Sequence, residues 1–90
     1  MTVIKPVIDN EVGVHVRSAA LFVQTAQSFQ SEVRVCHSER EANAKSLLAL
    51  LGLGLSRGSE ILVEACGNDA GQALEALMEL VENNFGKGKR

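Results

Sequence analysis

Two hydrophobic periods alternate along this chain, and that alternation constrains its fold more than any other feature. Val3 to Ile8 is a β-rich run, and Pro6, which cannot donate to a ladder, confines it to a sheet edge. Asn10 to Gly13 reads as a turn. From Val16 onward, Ala19, Phe22, Val23, Ala26 and Phe29 recur at helical spacing and define one buried stripe. Val33 and Val35 then alternate with Arg34 and Cys36, the mark of a half-buried strand, and His37 to Glu41 is a polar turn before a short return strand. Leu47 to Leu51 is a short helix, apolar on every side, with more leucine than one small core can cover. Ile61, Val63 and Ala65 alternate with Leu62, Glu64 and Cys66, giving another strand with one wet face. Leu74, Leu77, Met78, Val81 and Phe85 complete an amphipathic helix, with a turn and a cap supplied by Gly67-Asn68-Asp69.

The order is β-α-β-β-α-β-α. Each strand alternates and each helix has one stripe, so the economical arrangement is an α+β, open-faced two-layer sandwich. Three helices cover one face of a four-stranded antiparallel sheet, and the other face lies in water. With 90 residues, the chain has the length of one small domain, which buries about 60–65% of the surface exposed when unfolded. Residues 1–85 are expected to form that domain, and the basic run Gly86-Lys87-Gly88-Lys89-Arg90 to fray as a tail.

Composition removes several function classes. Nine Lys/Arg against eleven Asp/Glu, with no Trp or Tyr and three Phe, argue against direct nucleic-acid binding, which wants basic charge and stacking rings. The apolar run Leu47 to Leu55 is nine residues broken by two glycines, well short of the roughly 20 needed to span a bilayer. The opening Met1-Thr2-Val3-Ile4-Lys5 lacks signal-peptide character, so a cytoplasmic location is expected. Two cysteines thirty positions apart make neither a disulfide framework nor a zinc pattern. Cys36, His37 and Cys66 lack a fourth ligand, and neither a metal nor another cofactor is expected. Gly52-x-Gly54-x-x-x-Gly58 follows a leucine run rather than a strand and does not have dinucleotide-loop spacing.

Two places carry candidate chemistry. In Gly13-Val14-His15-Val16-Arg17-Ser18-Ala19-Ala20, His15 sits where a turn meets a helix, beside N–H groups that attract anions. A neutral imidazole there suits phosphoryl acceptance, with the amides and the Arg17 guanidinium holding the oxygens. On spacing alone, a surface His and Arg with no task is the commoner reading, because a lone His-x-Arg is a weak signal. In Lys45-Ser46-Leu47-Leu48, Ser46 reads as an N-cap where an added phosphate would meet a favourable helix end. Leu47, Leu48 and Leu51 are either core or a docking surface.

Taken together, these residues resemble the HPr family, the histidine-containing phosphocarrier proteins of the bacterial phosphoenolpyruvate:sugar phosphotransferase system. The resemblance runs over nearly all of residues 1–85. It includes the element order, Gly13-Val14-His15, Arg17, the Ala19 to Ala26 helix, Glu39 to Gly54 around Ser46, and Gly58 to Gly67. It implies that His15 accepts a phosphoryl group on Nδ1 from enzyme I and passes it to the IIA domain of a sugar permease. Arg17 would bind the phosphate, and Ser46 would be the target of an HPr kinase/phosphorylase. Ala20, Leu47, Leu48 and Leu51 would line the surface shared by partners. Such a carrier is a substrate of phosphotransferase enzymes and not itself an enzyme.

This chain has Val16 where the family usually has a small residue, and Ser18 where it usually has proline. Losing a proline loosens a first turn, so Ser18→Pro is expected to add a few tenths to about 1 kcal/mol of stability. A looser turn slows His15 phosphorylation, whereas an extra amide and hydroxyl would add phosphate donors. Both outcomes stand at this point. So does a second function class, a regulatory module of the catabolite-repression or nitrogen-related branch. In the catabolite-repression reading, phosphoserine 46 docks onto a transcription regulator. That branch lacks the histidine, which favours the carrier, and a generic metabolite-binding sandwich is the third alternative.

Overall fold

A computed structural model describes residues 2–8 and 14–83. The expected turn at Asn10 to Gly13, Phe85 and the 86–90 tail lie outside them. The elements are β1 (Thr2–Ile4), α1 (Val16–Gln27), β2 (Glu32–His37), β3 (Arg40–Asn43), α2 (Leu47–Leu51), β4 (Leu62–Cys66) and α3 (Ala70–Glu82). The sheet order is β1-β4-β2-β3, and every pairing is antiparallel. The α+β open-faced sandwich expected from the alternating periods is the observed fold. Among the described residues, no helix is long and apolar enough to cross a membrane.

Register explains the two faces. Ile4, Val63, Val35 and Ala42 form one cross-sheet row under the helices, and Val33 pairs with Ala65 in the next. Against them pack Ala19, Phe22, Val23 and Ala26 of α1, Leu50 of α2, and Leu74, Leu77 and Val81 of α3. The alternate residues face water, where Arg34 pairs with Glu41 at 3.2 Å and with Glu64 at 3.8 Å. The Arg34–Glu41 pair is exposed at both ends, and pairs of that kind contribute little, about 0–1 kcal/mol.

Cys36 and Cys66 both lie on this open face. They sit opposite Leu62 and Glu32 respectively, four residues apart along β4. That is roughly 13 Å, beyond disulfide reach. Burial, then the Glu64 and Glu41 charges, push the Cys36 thiol pKa up against the opposing effect of Arg34.

Several element ends differ from the sequence reading. The β1 ladder stops at Ile4, and contact with the chain before β4 resumes around Pro6 through single bonds. The Ile61 N–H donates to Pro6 O at 3.1 Å, and the Ile8 N–H to Ser59 O at 2.8 Å. Pro6 thus interrupts the edge strand while keeping its carbonyl in use. His37, Arg40 and Glu41 belong to strands, and the turn is only Ser38-Glu39, with Ser38 at φ 57°. Helix α1 ends before Phe29, because Ser28 and Phe29 tighten onto Thr25 and Ala26 with i to i−3 bonds of 3.1 and 3.2 Å. Phe29 still packs on the core, from the turn.

Asp69 occupies the N-cap position of α3 but makes no side-chain cap. Its carboxylate instead accepts the Gln30 N–H, the Ser31 N–H and the Ser31 hydroxyl, tying the α1–β2 turn to α3. The Ser31 hydroxyl and then the Gln30 amide hold the Asp69 pKa below the ordinary carboxylate value. A lowered folded-state pKa means stability that is present above the unfolded pKa and lost as pH falls through the folded one. Asp69→Asn is therefore expected to melt below wild type at neutral pH. The gap should narrow as pH drops below the ordinary carboxylate range, and a gap independent of pH in thermal melts would contradict this account.

Candidate site at the starts of two helices

The first helix begins on an unusual cap. His15 takes the N-cap position with extended backbone, φ −115° and ψ −173°, and its Nδ1 accepts the Arg17 N–H at 3.2 Å. An Nδ1 that accepts carries a lone pair, so the ring proton sits on Nε2. The imidazole thereby occupies the place where helix amides hold anions. Arg17 is exposed, and among the described residues its guanidinium has no hydrogen-bond or ion-pair partner.

Ser18 departs from the sequence reading. It is 2% exposed. Its Oγ accepts the His15 N–H at 3.0 Å and donates to His15 O at 3.2 Å. The hydroxyl is therefore engaged with the cap and is not a free phosphate donor. Proline at 18 would remove both bonds and orphan the His15 N–H, so the expected stabilisation by Ser18→Pro reverses in sign. Val16 is the first helical residue, 62% exposed, with its side chain in solvent.

Ser46 caps α2 as its sequence pattern implies. Its Oγ accepts the Ala49 N–H at 3.3 Å, and its carbonyl accepts the Leu50 N–H at 3.0 Å. The segment before it is fastened to α1: Gln27 Nε2 donates to Lys45 O at 3.2 Å, and Lys45 Nζ to Phe29 O at 2.8 Å. These bonds and direct packing of α1 on α2 make the two helices one surface.

The leucines of α2 divide their labour. Leu50 is core, Leu47 and Leu51 are half-buried against it, and Leu48 is 83% exposed. Ala20 is also half-buried. Val16 and Leu21 are further exposed apolar residues on α1, and of these the sequence reading did not single out Leu21.

A family model described as the PTS HPr component phosphorylation site matches residues 4–83. The chain belongs to the HPr family. It is 38% identical over 82 residues to the phosphocarrier protein HPr of Neisseria meningitidis serogroup A, covering 91% of this chain and 92% of that protein. Its fold is similar to the crystal structure of HPr-C-His from Thermoanaerobacter tengcongensis, with a TM-score of 0.93, 40% identity and coverage of 97% and 98%. It is also similar to Crh, the catabolite repression containing protein of Bacillus subtilis, with a TM-score of 0.74, 39% identity and coverage of 82% and 85%. Membership places the chain among the HPr phosphocarriers of the phosphotransferase system.

Proposed function

We propose that His15 is the phosphoryl acceptor, charged by enzyme I and discharged to the IIA domain of a sugar permease. The observation that carries this reading is the Nδ1 lone pair held at the start of α1, 3.2 Å from the Arg17 N–H. In the transfer, Nδ1 forms a bond to phosphorus while the bond from phosphorus to the donor atom on enzyme I breaks. The electron pair of the broken bond stays on the donor, and nothing is oxidised or reduced. The oxygens then take the amide hydrogen bond that the ring nitrogen relinquishes, and the Arg17 guanidinium supplies a charge-assisted partner. Little covalent work falls to the carrier, whose contribution is position.

Ala20, Leu47, Leu48 and Leu51 form the docking surface for enzyme I and IIA domains, and Ser46 is the regulatory target of an HPr kinase/phosphorylase. Its phosphorylated form is offered to a catabolite-control transcription regulator. Residues 1–85 act as one domain in the cytoplasm. The likeness to Crh supports a second reading, in which Ser46-centred protein binding is the main activity.

One experiment separates the two. Labelled phosphoenolpyruvate and enzyme I are expected to place an acid-labile, base-stable phosphate on the protein, mapping to His15. Absence of label with an active cognate enzyme I overturns the carrier reading in favour of the Ser46 module.

A further inference from the structure

The cap of α1 contains a second polar group, the Ser18 hydroxyl, whose one donated and one accepted hydrogen bond both go to His15. Ser18 is 2% exposed, so its hydroxyl presents nothing to solvent or to a docking partner. It accepts from the His15 N–H at 3.0 Å and donates to the His15 carbonyl at 3.2 Å. A buried hydroxyl bonded to both main-chain groups of one residue fixes that residue's backbone, here at φ −115° and ψ −173°. From that backbone the ring brings Nδ1 to the Arg17 N–H at 3.2 Å. Remove the hydroxyl, and a half-buried N–H loses its partner. The cap residue is then free to turn, and a ring no longer held as an acceptor can carry its proton on Nδ1, where it has no lone pair to donate.

We infer that Ser18 is a positioning residue for phosphoryl acceptance. Its hydroxyl holds the His15 main chain so that the Nδ1 lone pair stays aimed along the amides that open α1. The inference rests on the reading of His15 as acceptor, but its first measurements need no phosphate. Ser18 touches neither donor nor phosphoryl group and acts only through His15.

The test compares wild type with Ser18→Ala and Ser18→Thr in the full chain. Nitrogen-15 NMR of the His15 ring reads the tautomer of the unphosphorylated protein, and phosphorylated enzyme I reads the transfer rate. Wild type is expected in the Nε2–H form. Ser18→Ala should shift toward Nδ1–H and lose about tenfold in rate, since small misplacements of a reacting group cost this much or more. Ser18→Thr, which keeps the hydroxyl, should retain both. An unchanged rate in a folded alanine variant overturns the proposal, as does an equal loss in both variants with the tautomer unmoved, which would mark a packing role. If Ser18→Ala does not fold, hydrogen exchange of the wild-type His15 amide decides. Strong protection is expected, and exchange as fast as an exposed loop amide overturns the proposal. Wild type that takes no phosphate from enzyme I would fail the carrier reading alone, because tautomer and exchange still judge the Ser18 contact.

Discussion

Gly67→Ala is expected to lower the melting temperature by about 15 °C or more, on the scale of 4–8 °C per kcal/mol for a domain of this size. Gly67 has φ 149°, a conformation that side chains rarely adopt. A Cβ there would lie 2.5 Å from Ser31 Oγ, 2.8 Å from Ser31 Cα and 2.9 Å from Ser31 Cβ. Two of those atoms cannot be moved by a rotamer change, and the third is the hydroxyl that binds Asp69. Backbone strain costs about 1–3 kcal/mol and overpacking about the same again. A sum of roughly 3–5 kcal/mol is a large share of the 5–15 kcal/mol that holds a small domain together. Gly71 is the internal control. It lies in α3 with open space where its Cβ would be, so Gly71→Ala should stabilise by about 0.5 kcal/mol through helix propensity. A Gly67→Ala melt within a few degrees of wild type would show that the turn relaxes freely and would defeat the argument.

That turn also marks where sequence stops being sufficient. The stripes of α1 and α3 and the alternation in β2 and β4 were legible because each records which side faces the core, a local property of the backbone period. Ser46 was legible for the same reason: a cap bonds three residues ahead. Asp69 was not, because it bonds Gln30 and Ser31, 39 and 38 positions away, and nothing near Asp69 encodes that choice. The end of α1 was misplaced because Phe29 continues the apolar spacing while its backbone has already left the helix. Of the candidate site, the His15 and Arg17 pair and the apolar run at Leu47 to Leu51 were visible. Ser18 was visible only as an odd residue, read as loosening the very cap that it ties. Its burial depends on how α1 sits on the core, which no short window contains.

The Ser46→Asp protein is expected to be phosphorylated at His15 by enzyme I about tenfold more slowly than wild type, or slower still, a difference equivalent to about 1.4 kcal/mol. Aspartate caps helices as well as serine does, so α2 should keep its start and the fold its stability. What changes is charge. Ser46 immediately precedes Leu47 and Leu48, and Leu48 is 83% exposed, so it is available to be covered by a partner. Burying a carboxylate at the edge of an apolar contact costs desolvation that no residue of α2 repays, since α2 contains only leucine and alanine. A phosphate, with nearly two charges, should exceed the aspartate effect. Ser46→Ala separates charge from structure. It loses the cap, at about 0.5–2 kcal/mol of stability, yet leaves the surface neutral, so its transfer rate at low temperature should match wild type. Slower transfer in the alanine protein would trace the effect to helix α2 rather than to charge. Equal rates for wild type and Ser46→Asp would remove the Leu48 face from the enzyme I contact altogether.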